Sequence, residues 1–324
     1  MANPNVGQLI SQAWQKLTND GKPEDNIFEE YSQLKRMESG KAFKPYTGGR
    51  SLIGTIEYAV NSTVESISPS QVLDTTVVDV FDEFEANWKQ YAGTFSMTSF
   101  EDAVNRGDSA KFDLEKGKLK NLRESMRKRI NEDIFGATTN ATDLSGLQTL
   151  VPDSPSASVV IEGINQSTYT FWRSKQTSGA QTTSAYDNLR SAMRTIRTSC
   201  SKGQGVSAPE YYVTGSATAN GYESLLIANE RIMDKKDASA NGGFQGDVYY
   251  FGSAKVFWDG DCPDARMYAL NNSHIKMAYQ TGFWFKGYPA VNPANQLLNV
   301  FKSETQCQLI VNNRRHLGVI TSIS

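Results

Sequence analysis

His274 and His316 are the two imidazoles among 324 residues, so any acid–base chemistry of the Ser/His/Asp kind would have to run through one of them. Serine and threonine are plentiful enough to supply a nucleophile, and a hydrolase with a dispersed site is one reading open to test. His274 lies in the alternating run Asn272-Ser273-His274-Ile275-Lys276-Met277, which reads as a strand surface with no second metal ligand at a useful spacing. Asp259, Asp261 and Asp264 gather three carboxylates in one loop. They miss the spacing of a calcium loop, and turn chemistry accounts for them. Cys200, Cys262 and Cys307 are too few and too scattered for a disulfide framework, and they suit a reducing compartment. Gly203-Gln-Gly205 is too short for a phosphate loop and follows a predicted helix, where it serves as a stop. The chain carries no Cys-x-x-Cys, His-Glu-x-x-His, Gly-x-Ser-x-Gly, Walker or dinucleotide fingerprint. The expectation is a protein with no catalytic, metal or cofactor residues.

The totals agree with that expectation. An apolar share of 39% and a charged share of 21% are ordinary for a folded chain long enough for about two domains. A net charge of -2 argues against a dedicated nucleic-acid reader. No apolar run approaches the roughly 18 residues of a membrane span, and the N-terminus lacks the pattern of a secretory signal.

The elements that would position any site read as a building block. Residues 1–45 look like an arm of two hinged helices, one with Val6, Leu9, Ile10, Ala13, Trp14 and Leu17 on a face and a weaker one through Phe28, Tyr31 and Leu34. Short helices are marginal alone, so both must dock on something. Residues 46–76 read as an extended two-stranded loop: alternation from Leu52 to Val60, a turn at Asn61, and a return over Val64 to Ile67. A lone hairpin is barely stable in water. Residues 77–97 read as one long strand with Val78, Val80, Phe84, Ala86 and Trp88 inward and Phe81 and Tyr91 on the wet side. Thr98-x-x-Glu101 is a capping box. From Asp108 to Gly136 runs a long amphipathic helix with Phe112, Leu119, Leu122, Met126, Ile130 and Ile134 on one face. About 27 such residues would span about 40 Å. Its basic run (Lys116, Lys118, Lys120, Arg123, Arg127, Lys128, Arg129) is either a solvated face or a surface turned to phosphate. Beyond it, helices over 183–199 and 217–236, strands over 210–214, 247–258 and 266–277, and two closing strands, 297–311 and 316–323, joined at Asn312-Asn313, give an α+β region. Aromatic clusters at Phe283, Trp284, Phe285 and Tyr288 and at Tyr169, Phe171 and Trp172 are either core or interface.

This layout resembles the major capsid protein family of tailed bacteriophages, with its Hong Kong 97-type fold. The resemblance rests on Gly48-Gly49-Arg50-Ser51 before a strand, Trp88-Lys-Gln-Tyr-Ala-Gly-Thr followed by Ser99-Phe-Glu-Asp and Asn105-Arg-Gly107, and Gly163-Ile-Asn-Gln-Ser-Thr-Tyr-Thr-Phe-Trp-Arg173. Tyr222-Glu-Ser-Leu225, Tyr250-Phe-Gly252 and Tyr268-Ala-Leu-Asn271 continue it. It implies an α+β capsid fold: an N-terminal arm (1–45), an extended loop (46–76), a peripheral domain with a spine helix (77–136 and 300–324) and an axial domain (137–299). It further implies self-assembly through hexamers and pentamers into an icosahedral head around double-stranded DNA. Portal, scaffolding or decoration proteins would be partners, with synthesis in a bacterial cytoplasm and residence in the virion. It brings no catalytic set. An encapsulin-like shell around a cargo enzyme would share the fold. A tail or receptor-binding protein is disfavoured by the lack of a β-repeat.

Overall fold

The computed structural model describes residues 32–40, 42–104, 114–177, 186–203, 206–228, 244–245 and 248–323. The first arm helix, the Asp108 cap and Phe112 lie outside the described residues.

In chain order, α1 (Ser32–Ser39) leads to β1 (Phe43–Tyr46), β2 (Ser51–Glu57), β3 (Phe81–Asn87) and β4 (Lys89–Thr98). Then come α2 (Ser99–Val104), the long α3 (Leu114–Phe135), α4 (Leu147–Leu150), β5 (Val160–Ile161), β6 (Ile164–Asn165), β7 (Lys175–Thr177) and α5 (Tyr186–Cys200). The remainder is β8 (Tyr211–Thr214), α6 (Ser216–Ala228), β9 (Phe244–Gln245), β10 (Val248–Phe251), β11 (Ala254–Trp258), β12 (Met267–Leu270), β13 (Ile275–Gln280), β14 (Lys286–Val291), β15 (Leu298–Val311) and β16 (Gly318–Ile320).

Two sheets carry the mass. The first is built on β15, a strand of 14 residues, which takes β4 along one edge and β13 and β14 along its length, with β1 added parallel to β13. The β4–β15 register is unbroken from Leu298 opposite Thr98 to Cys307 opposite Lys89. Helix α3 lies across β4. Gly93 permits that approach, because a Cβ there would come within 2.6 Å of Leu122 Cδ1. The helical face read from the sequence is the one that packs, and its burial grows toward the C-terminus, where Ile130, Ile134 and Phe135 are enclosed. The second sheet has seven strands in the order β7-β16-β12-β8-β11-β10-β9, and α5 covers it with Leu189, Met193 and Ile196. Glu101 and Thr98 make the reciprocal bonds of the expected capping box, at 3.0 and 3.2 Å.

Several sequence expectations are corrected. Strand 77–97 is two strands, and the inward side changes from even to odd positions at Trp88–Lys89. Phe84 and Ala86 are buried before the break and Met97 after it. Tyr91 therefore faces inward, where its hydroxyl donates to Asp133 at 2.6 Å. The return strand of the ribbon is β3, paired from Ser51–Asn87 to Glu57–Phe81, and residues 64–67 form no strand. The segments 247–258 and 266–277 each divide in two, and β12 and β13 belong to different sheets. Asn312-Asn313 does not close a hairpin. β15 and β16 also lie in different sheets, and Asn313 instead caps the 3-10 turn Arg314–His316. The second arm helix docks, as expected of a short helix, and it does so within its own chain as α1. Leu34 and Met37 are buried on their own subunit, and the Gln33 amide donates to Asp259 at 2.9 Å.

Candidate assembly surfaces

The groups that could have done chemistry are occupied with structure. His274 and His316 stack with ring centroids 4.4 Å apart. Burial, with the neighbouring His316, Lys202 and Lys276, pushes His274 down to about 4, and burial lowers His316 as well. His274 is therefore neutral at physiological pH. His316 Nδ1 meets the Cys200 carbonyl, and among the described residues neither ring is hydrogen-bonded to a serine hydroxyl. Each histidine precedes a strand of a different sheet, and the pair fastens the two crossings between sheets.

The acidic loop is likewise structural. Asn131 of α3 donates to Asp259 at 2.9 Å and to Asp261 at 2.7 Å, and Asp264 accepts from the Ala217 amide at the start of α6. Burial raises Asp259, against the pull of the Gln33 and Asn131 donors. Among the described residues no group of three or more metal-type ligands could hold an ion. The three cysteines are free and buried, and burial pushes Cys200 and Cys307 up to about 12. Thiols held so far from the thiolate form are poor nucleophiles.

A buried network escaped the sequence reading. Arg314, fully enclosed, donates to the Leu150 carbonyl at 2.8 Å, the Trp172 carbonyl at 2.9 Å and Gln166 Oε1 at 3.2 Å. Burial lowers it to about 10, with Glu162 opposing, so it stays charged. Glu162 itself is pushed up to about 8 by burial, partly offset by the Val311 amide and Arg314. Glu162 and Gly163 form the tight turn of β5–β6 with φ of 52° and 87°. The Glu162 carbonyl accepts from the Glu85 amide of β3 at 2.9 Å. The base of the ribbon is thus tied to the core.

Much of the two aromatic clusters packs within the subunit, although Tyr169 and Tyr288 stay exposed. Trp284 sits against Phe43 and Tyr279, with centroids 5.1 and 5.5 Å away. Trp172 stacks on Phe84 at 5.8 Å, and Phe171 on Tyr58 at 5.4 Å, so the second cluster seats the ribbon base.

What the subunit leaves uncovered lies farther out. Along the irregular ribbon tip, residues 58–80, Val60, Val72 and Val77 are 88%, 89% and 95% exposed, with Val64, Ile67 and Leu73 also in water. At the far end of β4 and β15, Phe100 and Leu297 are 70% and 86% exposed. Grouped apolar side chains of this kind mark contact surfaces. The basic run of α3 is divided. Lys118 pairs with Glu101 at 3.1 Å, Arg127 with Glu124 at 3.4 Å, and Arg129 with Asp133 at 3.1 Å. Lys120, Arg123 and the paired Arg129 are exposed, and Lys128 is half-buried.

No family model and no curated protein matches the sequence. Solved structures do match. The capsid asymmetric unit of cyanophage A-1(L) aligns with a TM-score of 0.70 at 17% identity, over 95% of this chain and 97% of that one. The chain has the Hong Kong 97-type capsid fold. The capsid of Myoviridae phage XM1 aligns with a TM-score of 0.61 at 11% identity, over 94% and 96% of the two chains. The holo-SrpI encapsulin complex of Synechococcus elongatus aligns at 0.61 and 10% identity, over 100% and 97%. No helix among the described residues is long and apolar enough to cross a membrane.

Proposed function

We propose that this protein is a major capsid protein, a non-enzymatic subunit that assembles into the icosahedral head of a tailed phage around double-stranded DNA. The observation that carries this reading is the alignment with the cyanophage capsid subunit over nearly the whole of both chains. The uncovered apolar tip of the ribbon supports it, since such a surface is stable in water when a second copy covers it. Many weak, repeated contacts suffice in a closed shell. The portal, any scaffolding or decoration proteins and non-specifically held DNA would be its partners, and the virion its place of residence.

The strand pairing suggests the division of labour. Residues 1–45 are the arm, with α1 as its anchored end. The extended loop of 46–76 continues through the irregular stretch to β3. The peripheral domain takes β4, α2, α3 and the sheet on β15 (88–136 and 298–311 with β1, β13 and β14). The axial domain takes 137–270 with the C-terminal β16. An encapsulin-like shell around a cargo enzyme is the second reading, because an encapsulin subunit shares the fold.

Expression of the chain, with a scaffold where needed, followed by negative-stain imaging, tests the proposal. Closed shells of uniform size are expected. Monomers that persist under every assembly condition would defeat it. Association with a portal and packaged DNA, as against a co-purifying enzyme inside the shell, distinguishes the phage head from the encapsulin.

A further inference from the structure

One carboxyl of the core has a cation for a neighbour and no bond to it. Glu162 turns its side chain inward from the β5–β6 turn. Its Oε2 is enclosed without a hydrogen-bond partner, and its Oε1 has only the Val311 amide at 3.4 Å, a long contact. Arg314 lies close enough for its charge to act on Glu162, yet among the described residues the two form no ion pair. The guanidinium bonds instead to the Leu150 and Trp172 carbonyls and to Gln166 Oε1, all neutral oxygens. A guanidinium and a carboxylate are strong partners when they meet, above all away from water. The core thus holds an unpaired cation and an orphaned carboxyl oxygen side by side.

The backbone of the same residue holds the ribbon. Glu162 has φ of 52°, a left-handed conformation that a residue other than glycine adopts at a cost. In that conformation its carbonyl accepts from the Glu85 amide of β3 at 2.9 Å. The preceding carbonyl, of Ile161, accepts from the Trp172 indole at 3.0 Å, and Trp172 stacks on Phe84 of β3. One strained residue therefore touches the Arg314 network through its side chain and the ribbon base through its backbone. The other charged groups of this region are turned elsewhere. Arg173 donates to the Gln166 and Ser167 carbonyls at 2.7 and 2.8 Å, and the Glu85 side chain is exposed. Burial pushes the Glu162 carboxyl up to about 8, with the Val311 amide and Arg314 opposing.

We propose that Glu162 is a proton-operated latch for the base of the ribbon. Protonated, it leaves the turn clasped on Glu85. When the carboxyl gives its proton to solvent, the anion swings to the guanidinium of Arg314, draws the turn out of its left-handed conformation and frees the β3 amide. The inference concerns the lone subunit and goes beyond the shell reading. Because the carboxyl is raised from its ordinary 4.5, ionising it costs the folded chain stability progressively as pH climbs from there towards about 8. Glu162→Gln removes that dependence and keeps the turn clasped at every pH.

Hydrogen exchange at the Glu85 amide of the unassembled full chain tests this, with rates corrected for the intrinsic effect of pH on exchange. Protection in the wild type is expected to fall at least about tenfold between about pH 6.5 and about pH 9, while Glu162→Gln holds the same protection at both. Flat protection in the wild type, or a glutamine variant that loses protection in parallel with it, would overturn the proposal. A collapse of the far-ultraviolet circular dichroism over the same range would assign the loss to global unfolding and overturn it equally. A second readout needs no variant. The indole N–H resonance of Trp172, which reports on the Ile161 carbonyl, is expected to shift with a midpoint near 8. An indole resonance that does not move across that range would contradict the latch. No shell is required for either measurement, so a chain that fails to assemble counts against the capsid reading and leaves these outcomes as they stand.

Discussion

Arg314→Ala is expected to destabilise the subunit by about 3–5 kcal/mol, the cost of breaking a buried charged network by removing one partner. Three acceptors lose their donor at once: the carbonyls of Leu150 and Trp172 and the side chain of Gln166. Each lies in a different segment, and none has water to turn to. The loss is a large share of a typical net stability of about 5–15 kcal/mol. It reaches beyond the core. Trp172 seats Phe84, and the Glu162 turn beside Arg314 holds the Glu85 amide, so the ribbon base loosens as well. Arg314→Lys keeps the charge but not the planar fork that reaches acceptors in several directions, and it is expected to recover less than half of the loss. Urea unfolding of the unassembled subunit measures both. A cost below about 1 kcal/mol for the alanine variant would show that the network does not hold the fold.

Gly146→Val is expected to be nearly as damaging, for a steric reason. A Cβ at Gly146 would overlap the carbonyl oxygens of Asp133 and Gly136, where the loop crosses the C-terminal end of α3. Those atoms belong to the backbone, and no rotamer change relieves the overlap. The Gly146 carbonyl also accepts from the Thr149 and Leu150 amides at 3.0 and 2.9 Å, so the loop cannot back away without opening the first turn of α4. A cost of about 3 kcal/mol is expected, at the upper end for overpacking. Gly287→Ala is the control: nothing lies within 4 Å of its Cβ position, and it should change stability by less than about 0.5 kcal/mol. Thermal unfolding of the two variants side by side gives the answer. Equal midpoints would refute the close approach of loop and helix.

The sequence was most legible where one local rule decided the outcome. Helix α3 could be read because Leu122, Met126, Ile130 and Ile134 recur at helical spacing, and the last three are buried on one face. Helix α5 followed from Leu189, Met193 and Ile196 in the same way. Strand β15 could be read because the run from Leu297 ends in the apolar Leu309-Ile310-Val311 and is stopped by Asn312-Asn313. Legibility failed where a distant segment decided. Val64 to Ile67 is as strand-like as Phe81 to Asn87, but only the latter meets Trp172, about 90 residues on, which is what fixes β3 as the partner of β2. The change of inward side at Trp88–Lys89 has no local mark, since aromatic residues stand on both parities. In Asn312-Asn313-Arg314-Arg315-His316 the charges read as a wet turn. Nothing local reveals that Arg314 threads inward among three acceptors while Arg315 stays out. The assembly surfaces were legible in outline, as segments unable to stabilise themselves. The structure narrows that outline by anchoring α1 and the ribbon base on their own subunit, leaving the exposed tip at 58–80 as the part that a neighbour in the proposed shell would cover.

Hydrogen exchange across residues 58–80, compared between unassembled subunit and closed shell, tests that dependence most directly. The amides around Val60, Val72 and Val77 should exchange freely in the lone subunit and at least about tenfold more slowly in the particle, once a sister copy covers them. Equal rates in the two states, whether both fast or both slow, would contradict the idea that this limb is completed by its neighbour.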